Sequence, residues 1–177
     1  MEAIATAPFT SRRVLLIEDD LDDAYLIKKA LQVLERDKGT GFQLTHLRNG
    51  LDAISFVGKS DLLGQIPDVV IVDLNMPVMD GQKFIGALRS VFELKGIWTV
   101  VLTTSDQKAI HDQARAAGAN AVFVKPNTLG ELIGILQTVL ESRAAAELRQ
   151  GNRQKMRGRY RRLPARVRKT SSQPGLV

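Results

Sequence analysis

Short apolar runs that stop abruptly on polar residues constrain this chain more than any bulk property does. Val14 to Ile17 runs into Glu18-Asp19-Asp20, and Val69 to Val72 into Asp73. Ile97 to Leu102 runs into Thr103-Thr104-Ser105, and Ala121 to Val124 into Lys125-Pro126. Runs of this length, rich in Val and Ile, read as buried strands. FQLTHL, residues 42 to 47, reads as one more.

The intervening segments carry helical spacing. Ile27, Ala30, Leu31 and Leu34 recur as one helix face, with Asp22 or Asp23 as its cap. The turn RNG precedes a short helix over Leu51 to Val57. Asp80 is placed to cap a helix bearing Phe84, Ile85, Leu88 and Phe92, and Gly118 to end a helix over Ala109 to Ala117. Thr128-Leu129-Gly130-Glu131 has the form of a capping box and opens a helix with Leu129, Leu132, Ile133, Leu136, Val139 and Leu140 on one face.

Five βα units with short connections predict an α/β fold, a doubly wound parallel sheet covered by helices on both faces. Ligands of such sheets bind beyond the carboxyl ends of the strands, where strand order reverses. There the chain gathers Glu18, Asp19, Asp73, Thr103 and Lys125. Two carboxylates ~4 Å apart repel by about 4 kcal/mol at an effective dielectric of 20. A trapped proton or a cation must relieve that repulsion. Oxygen ligands without His or Cys select a hard cation, and carboxylates, waters and a phosphate oxygen suit Mg²⁺. Asp73 can then act as nucleophile toward a phosphoryl group. Lys125 can neutralise the phosphoryl oxygens and Thr103 can donate a hydrogen bond.

Other chemistries lack their residues. The chain has no Cys, so thiolate sites and Cys nucleophiles are excluded. A nucleotide-binding enzyme needs a Gly-rich loop after the first strand, where EDDLDD stands instead. A dehalogenase-like phosphatase needs a second Asp two residues after the first, and Asn75 occupies that place. His46 and His111 have no triad or ligand context in the sequence and read as a strand residue and an exposed helix residue. No run approaches the ~18 apolar residues of a membrane span, and the order of the N-terminal MEAIATAPFTSRR is wrong for a secretion signal. A cytoplasmic location is expected.

VLLIEDD, VVIVDLNMPVMDG, VVLTTSD and VFVKP together resemble the receiver domain of bacterial two-component response regulators, over roughly residues 13 to 141. The resemblance implies the flavodoxin-like strand order 2-1-3-4-5. It makes Asp73 the phosphoacceptor, Asp19 a direct metal ligand, Glu18 a ligand through water, and the Asn75 carbonyl a further ligand. Thr103 and Lys125 become the switch hydroxyl and the phosphate-contacting amine, with the Thr104 N–H also facing the phosphoryl group. Asn75 and Ser105 become candidates for tuning its lifetime. A cis Lys125–Pro126 bond, a weak autophosphatase activity and a histidine kinase partner are implied too. LTTSD, DLNMP and the acid-rich opening resemble single-domain regulators of phytochrome-type histidine kinases, which implies a homodimer built from the last strand and helix. The family's aromatic residue three positions before the Lys is replaced by Val122, and Phe123 faces the other way.

Residues 1–12 read as an N-terminal extension, 13–141 as the receiver, and 142–177 as a helix extension with a basic tail. Residues 142–177 hold 11 of the 25 Lys and Arg and one of the 19 acids, a net +10, which leaves −4 on residues 1–141. Beyond Gly151 the high charge and few apolar residues predict no structure of its own. A nucleic-acid-binding regulator acting through this tail is the alternative reading.

Overall fold

A computed structural model describes residues 11–39, 41–90 and 96–161, with side chains as far as 146. Five strands form one parallel sheet: β1 (Arg12–Ile17), β2 (Phe42–Leu47), β3 (Val69–Val72), β4 (Trp98–Thr103) and β5 (Ala121–Val124). Their order is β2-β1-β3-β4-β5, the flavodoxin-like order. Helices α1 (Leu21–Lys38), α2 (Gly50–Leu62), α3 (Gly81–Ser90), α4 (Lys108–Ala117) and α5 (Leu129–Arg161) alternate with them. Among the described residues no helix is long and apolar enough to cross a membrane.

β3 is central and its four residues are all buried, which is why Val69–Val72 reads as an unbroken apolar run. Val72 pairs with Ile17 on one side and Val101 on the other. That register brings the polar residues after β1, β3 and β4 to one rim. The core on one side of the sheet joins Leu15, Ile17, Val70, Val72 and Val101 to Phe84, Ile85 and Leu88 of α3.

Several boundaries differ from the sequence reading. The cap of α1 is Asp20, whose carboxylate accepts from the N–H groups of Asp22 and Asp23, the two residues predicted for that role. α2 starts at Gly50 behind an Asn49 cap and runs to Leu62, because its buried face continues past Val57 to Ser60. Asp80 and Gly118 act as predicted: the Asp80 carboxylate accepts from the Lys83 N–H at 2.8 Å, and Gly118 ends α4 at φ 114°. Thr128 Oγ1 accepts from the Glu131 N–H, as a capping box requires. Phe92, predicted on α3, lies outside the described residues. No peptide bond of the described residues is cis, so Lys125–Pro126 is trans, against the family expectation. Trans is the cheaper form by ~0.5–1 kcal/mol unless neighbouring structure reverses the preference.

The chain divides into two compact units, Met1–Val139 and Leu140–Val177. The first contains the sheet and the first turns of α5, where Leu132, Leu136 and Val139 are buried. The second contains the remainder of α5, which continues to Arg161 rather than stopping at Gly151. Gln, Lys, Met and Arg dominate that stretch and all favour helix.

Candidate functional site

Three of the rim residues, Glu18, Asp73 and Lys125, are placed by backbone pairing one step beyond their strands. The Glu18 N–H donates to the Leu47 carbonyl at 3.0 Å, and the Asp73 N–H to the Ile17 carbonyl at 3.0 Å. The Lys125 N–H donates to the Thr103 carbonyl at 2.7 Å. The ladder thus extends through the very residues that carry charge, which fixes their side chains over the sheet end.

Glu18, Asp19 and Asp73 offer carboxylate oxygens within 4.8 Å of one another. Glu18 and Asp73 are buried and Asp19 is half-buried. Lys125 Nζ lies 2.9 Å from Glu18 Oε2, 2.7 Å from Asp23 Oδ2 and 3.7 Å from Asp73 Oδ1. Asp23 was not anticipated as a rim residue. It sits in the first turn of α1, and its position three after the cap turns it toward Lys125. The acid run signals only that a member beyond Glu18 and Asp19 can face the rim, not which one.

Asp73 Oδ2 accepts from the Asn75 N–H at 3.3 Å. Its other oxygen, Oδ1, is buried without a hydrogen-bond partner among the described residues. A buried carboxylate oxygen without a hydrogen bond is costly, and an ion, a water or a reactant can serve it. Burial raises the Asp73 pKa, and the nearby Asp19 adds to the effect, against Lys125. Burial pushes Glu18 up to about 7 even though Lys125 lies beside it. Burial alone would lower the Lys125 pKa, but hydrogen bonds to Asp23 and Glu18 and the charge of Asp73 raise it on balance. The cluster therefore has more carboxylate than one ammonium can neutralise.

Thr103 is fully buried at the end of β4, and its Oγ1 accepts from the Ser105 N–H at 3.2 Å. Thr104 is exposed, Ser105 half-buried and Asn75 exposed. Val122 is buried in the core with Val101 and Ala114, while Phe123 is only half-buried, as strand alternation predicts.

The loop after Asp73 is held by a glycine. A Cβ on Gly81 would stand 2.1 Å from the Asp73 carbonyl oxygen, so α3 can approach the backbone of Asp73 only through Gly. The Gly81 N–H donates to the Leu74 carbonyl at 3.1 Å. Val78 in the same loop has φ 67°, a left-handed conformation rarely adopted by a β-branched residue.

A rim of clustered acids, one lysine and one buried threonine hydroxyl on a 2-1-3-4-5 sheet is the arrangement of a receiver, the signalling phosphoacceptor module of two-component systems. The chain belongs to that family: residues 14–137 match the response regulator receiver domain. It is similar to the transcriptional regulatory protein PrrA of Mycobacterium tuberculosis, 28% identical over 138 residues that make up 77% of this chain. The chain spans about half the length of that relative, 53%. It is also 28% identical to the response regulator Rcp1 of Synechocystis, covering 71% of this chain and 84% of Rcp1. The crystal structure of the phosphorylated cyanobacterial phytochrome response regulator RcpA superposes with a TM-score of 0.66 at 25% identity, covering 75% of this chain and 93% of RcpA.

Proposed function

We propose that this protein accepts a phosphoryl group from a histidine kinase onto Asp73 and acts as a signalling switch. The observation that carries the reading is Asp73 Oδ1, buried, without a hydrogen-bond partner among the described residues and facing Lys125 Nζ at 3.7 Å. In the reaction an Asp73 oxygen forms a bond to phosphorus as the P–N bond of a phosphohistidine breaks, and the imidazole leaves with the electron pair. Lys125 neutralises phosphoryl oxygens, and the Thr103 hydroxyl and the Thr104 N–H donate to them.

The oxygen-only donor set of Glu18, Asp19 and Asp73 fits a hard divalent cation, and Mg²⁺ is the one proposed. Asp19 and Asp73 would hold it directly, with the Asn75 carbonyl, and Glu18 would act through water. When bound, it supplies positive charge that offsets the carboxylate excess and the phosphoryl oxygens. Asn75 and Ser105 flank the acceptor and tune how long the aspartyl phosphate survives the domain's own weak hydrolysis.

The similarity to RcpA and Rcp1 supports a kinase of the phytochrome class. Val124, 40% exposed on edge strand β5, supports a self-contact along β5 and α5 and hence a homodimer. Intact-mass measurement after treatment with a small acyl phosphate and Mg²⁺ tests the central claim. Wild type is expected to gain one phosphoryl group and Asp73→Asn none. A phosphorylated Asp73→Asn protein would sink the assignment.

A further inference from the structure

Receivers must transmit the state of the acceptor to their surface, and the buried aliphatic Val122 has no polar group with which to do it. A different connection is present on the same side of the rim. His111, in the first turn of α4, has its Nε2 at 2.7 Å from the Ser105 carbonyl oxygen. A carbonyl oxygen only accepts, so Nε2 carries the proton and donates. The Ser105 N–H in turn donates to Thr103 Oγ1 at 3.2 Å, and the Gln107 N–H donates to Ser105 Oγ at 3.3 Å. Ser105 is thereby tied at its N–H to the buried hydroxyl and at its carbonyl to the helix.

The helix at the receiving end is lightly held. Ala114 is its one fully buried residue, and its N-cap Gln107 makes no side-chain cap bond. Ile110 and Ala117 also pack against the core but are only partly buried, so less apolar surface opposes a shift of α4 than of α1.

We propose that His111 is a positioning residue that couples Thr103 to helix α4 through Ser105, in place of the aromatic side chain missing at position 122. The coupling rests on the phosphoacceptor reading above. When the Thr103 hydroxyl turns to donate to a phosphoryl oxygen, its oxygen moves relative to the Ser105 N–H. If that bond holds, Ser105 is drawn along; if it breaks, Ser105 is released. Either way the carbonyl that His111 holds is displaced. The His111 bond belongs to the phosphate-free state and stabilises it. Linkage is reciprocal, so removing the bond favours the phosphoryl-bound arrangement.

The test uses the full chain with Mg²⁺ and beryllofluoride, a phosphoryl mimic. The His111 ring nitrogen resonances, assigned with His111→Gln, are expected to move on saturation. His111→Leu should bind beryllofluoride more tightly by about two- to tenfold, the span of one net hydrogen bond. His111→Gln, which keeps a donor at the Nε2 position, should restore wild-type affinity. A side chain that merely packs would give Gln and Leu the same effect. Beryllofluoride binding with unmoved His111 resonances, or with equal affinities for wild type and His111→Leu, overturns the coupling and leaves the acceptor reading standing. No binding and no phosphoryl incorporation by wild type overturns both.

Discussion

Helices α1 and α4 flank the same rim and are built to opposite specifications. α1 buries Ala24, Ile27, Ala30, Leu31 and Leu34 and is capped by the Asp20 carboxylate. α4 buries Ala114 alone and has no side-chain cap. Lys125 pins the first turn of α1 to the site through Asp23, whereas α4 reaches it by way of single hydrogen bonds to Ser105. The difference teaches how unevenly the site is anchored: the acidic side by a capped helix, five buried apolar residues and an ion pair, the hydroxyl side by less buried surface and single hydrogen bonds.

The largest expected effect comes from the anchored side. Ile27→Ala should cost about 2–5 kcal/mol in denaturant unfolding, as buried large-to-small changes do. Ile110→Ala on α4, where that residue is only half-buried, should cost less than half as much. Equal losses would erase the contrast.

The next effect is a fall in stability with pH caused by Glu18 in metal-free protein, since burial raises its pKa from 4.5 to about 7 on folding. A raised carboxyl pKa gives stability that is complete below the unfolded value and lost as pH climbs through the folded one. Stability should therefore fall between about pH 4.5 and 7, and Glu18→Gln should flatten that slope. Mg²⁺ should restore stability increasingly over the same interval, because its ligands must be deprotonated. Chemical denaturation at stepped pH, with and without Mg²⁺, reads both. An unchanged slope in Glu18→Gln would remove Glu18 from the account.

Capping gives a smaller contrast. Asp20→Ala should lower the melting temperature by about 2–4 °C, and Gln107→Ala by no measurable amount. A comparable loss in Gln107→Ala would show that the start of α4 is held by something other than Ser105. The smallest effect is expected at Trp98, which begins β4 five residues before Thr103, about 16 Å away at ~3.3 Å per residue. Its fluorescence should barely change on beryllofluoride binding, and a large change would mean that motion spreads down β4 and not only into α4.

Four of the five strands were legible because each is a short apolar run with a polar stop, and β2, β3 and β5 fall where the sequence puts them. The family motifs then implied the strand order that the sheet has. Lys125 beside Asp73 was legible too, since both follow strands whose ends must share a rim. Less legible were bonds made by single residues without periodicity. Nothing in EDDLDD says that the cap is Asp20 and the lysine's partner Asp23, because both residues are acids in one turn. His111 read as an exposed helix residue, since its bond to Ser105 crosses a loop whose path the sequence does not encode. α2 and α5 read short because helix ends depend on packing beyond the last apolar repeat.

Gly81 carries a consequence for engineering. With a Cβ position 2.1 Å from the Asp73 carbonyl oxygen, every other amino acid there would displace backbone rather than a side-chain tip. In a saturation library scored for phosphoryl acceptance, position 81 should behave as a monomorphic site, although it touches no reactant. Anyone transplanting the acceptor aspartate onto a foreign parallel sheet would therefore have to carry the glycine eight residues downstream with it, or the graft would arrive with its carboxylate aimed elsewhere.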